Sequence, residues 1–439
     1  MASLLARSVA PWRTLKACPS IFSADPMATT DGTDLLAPEQ LLQRTLSIAA
    51  DLLRTAETEL DGALTWHRGY AVDMSPAKDA GIFNGRIGEA LFFSALYATT
   101  GDTAHEAAAL RASQAIRAGA ADAAFRERLL AQVGYGLTGV GSQVYALVRM
   151  SQFLNRPELL DDAAALAEVL TPARIARDRV HEMLQGSSGA ALGLLALYDH
   201  TGDPAVLARA VACGDHLLAR RGTDPGTGLR AWATLAPALC TGFAHGSSGI
   251  AHALLRLHQA TGEARFYDAA IEAFAWERTV FREDVGDWPD TRDQPADEMI
   301  SGWCHGAPGM VLSRLAALYV LREGDEEDVV GDLDRALTRT SESPVRELDY
   351  LCCGNFGVVD ILLEAGGVLE NDSLVRQSQR LAESALEWVD ERGWAVAVPA
   401  EDGSDRHMSG GLWQGTAGIG YTLLRLTDPD RYPTLLAWG

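Results

Sequence analysis

Seven stretches of the chain share one pattern, a Gly-x-x-Gly motif followed by a strongly apolar run of helical length. Only the second stretch departs from it, with Ser142 at the position of the second glycine. Runs that are apolar nearly all round predict helices enclosed by the rest of the protein. The first glycines of the seven motifs are Gly85, Gly139, Gly186, Gly246, Gly306, Gly354 and Gly415.

More polar segments lie between these runs, among them residues 38–57, 203–221 and 372–389. Their apolar residues recur at intervals of three and four, which predicts amphipathic helices with one face toward water. Several are preceded by Thr-Gly-Asp or Thr-Gly-Glu. The glycine is predicted to close one helix in a left-handed conformation, and the acid to begin the next.

The chain thus alternates an enclosed helix with a water-facing helix seven times. Seven such hairpins that close on themselves predict an all-α fold, an (α/α)7 toroid of seven inner and seven outer helices, over residues 36–439. The alternative is an open superhelical solenoid, which requires terminal repeats with polar outer faces. Neither terminal repeat looks different enough to cap a solenoid, so closure is favoured.

Residues 1–35 are predicted to be a disordered or misassigned N-terminal extension. The first 24 residues contain Arg7, Arg13 and Lys16 but no acid. This composition is typical of an organelle transit peptide. A misassigned start, with Met27 as the true first residue, explains it equally well.

The overall composition excludes several classes of protein. Hydrophobic residues make up 47% of the chain, as expected for a globular protein with a large core. The formal net charge of −22 argues against nucleic acid or an anionic membrane as the main partner. The chain has no apolar run long enough to span a membrane. Six cysteines without a secretory signal indicate a reducing compartment such as the cytoplasm.

The residues just before the seven glycines are predicted to lie together, because the glycines all start inner helices at one end of the barrel. Counting back one position reaches His245, His305 and Cys353, and counting back two reaches Cys304 and Cys352. Three of the six cysteines therefore converge on one rim of the barrel, although they come from separate repeats.

Three thiolates that leave a fourth position open predict a catalytic zinc site, since structural sites are normally closed by a fourth protein ligand. Helix N-termini favour the thiolate form that binds metal. Three thiolates with nearby histidines suit Zn²⁺ better than copper or an iron–sulfur cluster. The other cysteines, Cys18, Cys213 and Cys240, match no position of the repeat and are interpreted as small buried residues.

His245 is predicted to act as a general acid or base, because it shares a register with Cys353 and His305 at this rim. Among the carboxylates, Glu182, four residues before Gly186, is the main candidate. A carbohydrate-active barrel is disfavoured, because such sites need paired carboxylates and this rim offers thiols.

Several motifs together resemble the lanthionine synthetase C-like family. They are GWCHGAPGM (302–310), CCGNFG (352–357), GFAHGSSGIAHALLRL (242–257) and GLWQGTAGIGYTLLRL (411–426). They occur in order from about residue 80 to the end of the chain. The similarity is strongest to the C-terminal cyclase domain of class II lanthipeptide synthetases, whose N-terminal dehydratase half has no counterpart in this sequence.

The resemblance implies a zinc enzyme that adds peptide cysteine thiols to dehydroalanine or dehydrobutyrine and so closes thioether rings. It places the zinc ligands at Cys304, Cys352 and Cys353, as in the all-cysteine subgroup, and the conserved histidine at His245. His305 falls where the family has Tyr or His. Two departures are Glu182, where Asp is common, and Ile300, where some members have Arg.

The implied partners are a dehydrated precursor peptide and a separate dehydratase.

Three protein thiolates outweigh the zinc charge, so a substrate thiolate should be held less tightly, and react faster, than on a site with two cysteines and one histidine. Either histidine could take the thiol proton, and His245 is favoured as the acid that protonates the enolate. Two alternatives remain: addition of a small thiol such as glutathione to dehydroamino acids, and a non-catalytic, zinc-stabilised scaffold that presents peptides.

Overall fold

The computed structural model describes residues 36–66, 81–292, 301–396 and 410–439. The N-terminal extension predicted over residues 1–35, with Cys18 and Met27, lies outside the described residues, as does Ile300.

Helices account for most of the described chain. In chain order they are α1 (Pro38–Thr55), α2 (Arg86–Thr100), α3 (Thr103–Ala112), α4 (Gln114–Ala120), α5 (Ala123–Val133), α6 (Val140–Phe153), α7 (Glu158–Ala167), α8 (Pro172–Ile175), α9 (Ser187–Thr201), α10 (Pro204–Ala219), α11 (Ser247–Thr261), α12 (Ala264–Thr279), α13 (Ala307–Leu318), α14 (Glu326–Ser341), α15 (Asn355–Val368), α16 (Asp372–Arg392) and α17 (Thr416–Thr427).

The seven apolar runs form the inner helices α2, α6, α9, α11, α13, α15 and α17, and in each case the first glycine of the motif is the N-cap residue. Each inner helix packs against the next, and α17 packs against α2. The ring is therefore closed, which confirms the (α/α)7 toroid and excludes the open solenoid.

The outer helices pack pairwise against the inner ones, and α1 completes the ring by packing on α17. The predicted helix junctions are also found. Gly101, Gly202 and Gly262 end inner helices with φ between 64° and 74°. Asp102 and Asp203 then accept backbone hydrogen bonds that begin the following outer helices.

The second repeat is less regular than its sequence pattern predicts. The segment 103–120 forms two helices, α3 and α4, which are separated at Ser113. The hydroxyl of Ser113 donates to the backbone carbonyls of Ala109 and Leu110. Two short hairpins, which the pattern did not predict, complete the fold: β1 (Ala56–Thr58) with β2 (Leu64–Trp66), and β3 (Gly222–Thr223) with β4 (Arg230–Ala231).

Backbone hydrogen bonds join the segments that precede the inner helices into a belt around one rim. The amide of Met183 donates to Ala244, that of Ala244 to Cys304, and that of Trp303 to Cys352. The belt continues through bonds from Cys352 to Trp413 and from Trp413 to Phe83. These bonds fix the position of each repeat along the axis of the ring. They therefore place the thiols and histidines that precede the inner helices at the same rim.

In six of the seven repeats, glycine at the second motif position lets the rim segment approach its own helix closely. A Cβ atom on Gly249 would lie 1.8 Å from the carbonyl oxygen of Phe243, and one on Gly357 would lie 1.9 Å from that of Leu351. Both approaches are shorter than any side chain allows, which explains the repeated glycine in physical terms.

The last residues of the chain fill the centre of the ring. The Leu436 carbonyl accepts a hydrogen bond from the Trp303 indole at 2.9 Å, and the Ala437 carbonyl lies 3.0 Å from Nε2 of His252. Trp438 is buried beside Tyr145 on α6. Across the described ranges, no helix combines the length and the apolarity needed to cross a membrane.

Candidate metal and catalytic site

The belt brings three thiols together at the rim, as the repeat register predicted. Sγ of Cys353 lies 3.0 Å from Sγ of Cys304 and 3.4 Å from Sγ of Cys352. The bond from the Trp303 amide to the Cys352 carbonyl joins the two segments that carry them. Cys304 and Cys352 are buried, and Cys353 is partly exposed.

The three thiols perturb one another strongly. Contacts with Cys304 and Cys352, aided by the positive charges of Arg346 and Arg292, hold the pKa of Cys353 well below its usual range. Contacts with the other two thiols raise the pKa of Cys352. A bond with Cys352 lowers the pKa of Cys304, but the contact with Cys353 and burial outweigh it and raise the pKa to about 11. The cluster thus favours one thiolate, at Cys353, which two protonated neighbours stabilise.

This donor set fits a metal ion. All five cysteines of the described residues are free thiols, so no disulfide competes for the three sulfur atoms. The three Sγ atoms lie within 4.8 Å of one another. A compact group of soft sulfur donors that already favours a thiolate is the kind of site that Zn²⁺ prefers.

His245 forms a dyad with Glu182. Nδ1 of His245 lies 2.9 Å from Oε2 of Glu182, which is buried and also accepts the backbone amides of Leu184 and Gln185. A carboxylate can only accept, so Nδ1 carries the proton and Nε2 has the free lone pair. The dyad fixes both the orientation and the tautomer of the imidazole.

His305 is held differently. Arg292 donates to Nε2 of His305 at 2.5 Å, and the same guanidinium forms a double hydrogen bond with the carboxylate of Asp290. Burial lowers the pKa of His305 to about 4, so its ring is neutral at neutral pH. It stacks on His245 with ring centroids 5.2 Å apart.

One cavity of about 260 Å³ joins these groups. Its polar lining comprises the three thiols, both histidines, Asp290, Arg292 and Gln414. Its apolar lining comprises Phe83, Leu184 and Trp303.

The structure thus brings together all six site residues that the sequence predicted. Five of them line the cavity, and Glu182 is joined to it by its hydrogen bond to His245. Sequence reasoning missed Asp290 and Arg292. They belong to the loop before the first zinc-ligand candidate, which follows no repeat register, and only their Asp-x-Arg spacing hinted at a paired function.

The chain is similar to known proteins in sequence and in structure. A sequence model of the family described as lanthionine synthetase C-like protein matches residues 76–437. Among solved structures, nisin cyclase superimposes with a TM-score of 0.63 at 13% identity, over 91% of this chain and 96% of that chain. A sugar epimerase from a ruminal bacterium gives a TM-score of 0.44 at 13% identity, over 89% and 98% of the two chains.

The family model covers most of the chain, including every thiol and histidine of the cavity, and the similarity to nisin cyclase supports the same ring of helices. The chain therefore belongs to the lanthionine synthetase C-like family.

Proposed function

We propose that the protein is a zinc-dependent lanthipeptide cyclase, which adds peptide cysteine thiols to dehydroalanine or dehydrobutyrine and forms thioether rings. The observation that carries this proposal is the shared cavity, where three thiols lie beside an oriented His245–Glu182 dyad and the cation of Arg292. The family membership supports it.

Cys304, Cys352 and Cys353 would hold the zinc ion. When bound, zinc acts as a Lewis acid and lowers the pKa of a coordinated substrate thiol, so that the thiol is deprotonated near neutral pH.

His245 is the proton carrier of the proposed reaction. Its free Nε2 accepts the proton of the substrate thiol, and Glu182 stabilises the imidazolium that results. The sulfur then bonds to Cβ of the dehydroamino acid, and the electron pair of the double bond moves toward the carbonyl as an enolate. His245 returns its proton to Cα, so protons and electrons balance and no other reactant is needed.

Arg292 is positioned to offset the charge of the enolate. Its guanidinium lines the cavity, and Asp290 and His305 hold it from two sides. A positive group that is fixed in advance stabilises charge that develops during a reaction. His305 is a positioning residue in this scheme, because its Nε2 is occupied by Arg292 and is not free to accept a proton.

The substrate would be a precursor peptide that a separate dehydratase has already dehydrated. Incubation of the zinc-loaded protein with such a peptide, followed by thiol alkylation and mass spectrometry, tests the proposal. Cyclisation is expected to remove free thiols without changing the peptide mass. Thiols that persist as in the enzyme-free control would contradict cyclisation and favour a peptide-presenting scaffold.

A second arm of the same experiment distinguishes a small-thiol transferase from a cyclase. It uses a dehydrated peptide without cysteine, together with glutathione. A cyclase is expected to leave this peptide at the rate of the uncatalysed control, whereas a catalysed mass increase of one glutathione would identify the alternative activity.

A further inference from the structure

A second group of metal-binding side chains lies outside the catalytic cavity. Asp178 and His181 belong to the segment before α9, and His216 lies on α10. Each offers one ligand atom, these atoms lie within 4.8 Å of one another, and all three residues are buried. None of them lines the cavity of the thiols.

His181 combines an unsatisfied ring nitrogen with a left-handed backbone. Its Nδ1 is buried without a hydrogen-bond partner and lies 3.8 Å from Oδ2 of Asp178, too far for a hydrogen bond. Its backbone φ is +66°, in the left-handed region that non-glycine residues seldom adopt. An unsatisfied buried nitrogen and a strained backbone at one residue are typical of a functional constraint.

The other two side chains are arranged as metal ligands usually are. Nε2 of His216 donates to the backbone carbonyl of Asp178 at 3.0 Å, which leaves Nδ1 with the free lone pair. Metal-binding histidines commonly donate their second ring nitrogen to a carbonyl in this way. The Asp178 carboxylate is fixed by the backbone amides of Val180 and Ser187.

The backbone of His181 is also tied to this carboxylate. Its amide donates to both oxygens of Asp178, each at 3.3 Å, so the imidazole is the unsatisfied part of the residue. The buried thiol of Cys213 lies three residues before His216 on α10, and therefore on the same helix face, but it is not one of the three clustered ligands.

We propose that Asp178, His181 and His216 form a second, structural Zn²⁺ site. Two imidazoles and a carboxylate are ligands that Zn²⁺ accepts. The segment from Asp178 to Gln185 also carries Glu182, which orients His245. A metal bound at its base would fix this segment, and through it the proton carrier of the catalytic site.

The test measures zinc in the full-length protein after dialysis, by elemental analysis. Wild type is expected to contain two zinc ions per chain. The triple variant Cys304→Ser/Cys352→Ser/Cys353→Ser is expected to retain one, held by the second site, and to lose it when His181→Asn is added. Asparagine tolerates the left-handed backbone, so this substitution removes the imidazole with little strain. His105→Ala, a buried histidine on α3, is the matched control and should leave the zinc content unchanged.

A second measurement does not depend on the folding of the His181 variant. The thermal midpoint of the triple cysteine variant should fall when a chelator is added and recover with excess zinc, because an ion that binds only the folded state stabilises that state. A folded triple variant that contains no zinc and does not respond to the chelator would overturn the second site while leaving the cyclase proposal intact. The opposite failure is also visible: one zinc in wild type, retained by the triple variant, would support the second site and contradict the proposed thiolate centre.

Discussion

The side chain at position 353 sets the charge of the proposed zinc centre. In Cys353→His a neutral imidazole replaces a thiolate, so the centre becomes more positive and lowers the pKa of the bound substrate thiol further. Nucleophilicity falls with thiol pKa, and each unit should slow the attack about threefold. We expect zinc to be retained and single-turnover ring closure to slow, measured by mass spectrometry at saturating zinc. An unchanged rate with full zinc content would contradict the charge argument.

The His245–Glu182 dyad gives a sharper prediction. His245→Ala should leave zinc content unchanged and lower the rate of ring closure about 10²- to 10⁴-fold, the usual contribution of general acid–base catalysis. Glu182→Gln keeps an acceptor near Nδ1 but removes the charge that stabilises the imidazolium, so we expect a smaller loss.

The control for both variants is His258→Ala, at the far end of α11, where the histidine bonds to the backbone of Glu263. It should retain the wild-type rate. A dyad variant that matches this control would remove His245 from the mechanism.

How well individual residues could be predicted depended on the repeat. Cys304, Cys352, Cys353, His245 and His305 occupy fixed positions before the motif glycines, so the register alone brought them to one rim. Arg292 could not be found in this way, because the position of a loop residue depends on packing between distant segments. His181 could not be singled out from the sequence either, because its unsatisfied nitrogen and its left-handed backbone are visible only in three dimensions.

At the scale of the helices, the second glycine of each motif should be more sensitive to substitution than an ordinary helical glycine. In Gly249→Ala the new Cβ would lie 1.8 Å from the Phe243 carbonyl, and the belt would have to move to relieve the clash. We expect a loss of about 1–3 kcal/mol in the free energy of unfolding, the usual cost of overpacking, measured by urea denaturation.

Gly331 on α14 is the matched control, because no heavy atom lies within 4 Å of its added Cβ. Gly331→Ala should stabilise the protein by about 0.5–1 kcal/mol, since alanine is the better helix former. Equal effects at the two positions would show that close backbone approach does not explain the repeated glycine.

Element boundaries were predictable where sequence and packing agree. The inner helices begin at the motif glycines because glycine allows the preceding segment to press against the first turn. The break between α3 and α4 was not predictable from periodicity, since the apolar spacing continues through Ser113. The belt was also beyond sequence reasoning, because its donors and acceptors are backbone groups that every residue has.

At the scale of the whole molecule, the closed ring creates a central space that the chain fills with its own last residues. Tyr432, Leu436 and Trp438 are buried there, and the Leu436 carbonyl supports Trp303, which directly precedes Cys304. The segment thus links the interior of the ring to Trp303 in the wall of the cavity that holds the three thiols. The repeat pattern predicted the ring but not that the last residues of the chain occupy its centre, because these residues belong to no repeat.

This central packing makes the fold sensitive to acid through His252 on α11, whose Nε2 lies against the Ala437 carbonyl. Burial, and to a lesser degree the positive charge of Arg256, lowers the pKa of His252 to about 3, against about 6.5 in an unfolded chain. Between these values the unfolded state binds more protons, so this stabilisation is complete above about pH 6.5 and is lost progressively as the pH falls. Near pH 5 the loss is about 2 kcal/mol.

The variant His252→Gln keeps an N–H donor for the Ala437 carbonyl and cannot be protonated. We therefore expect the difference in unfolding free energy between about pH 7.5 and about pH 5, measured by urea denaturation, to shrink by about 2 kcal/mol relative to wild type. His258→Gln, further along the same helix, is the control and should leave that difference unchanged, because this side chain bonds to the Glu263 carbonyl and not to the last residues. If both variants retained the full acid sensitivity of wild type, the destabilisation would arise outside the centre of the ring, and the last residues would not couple the fold to pH.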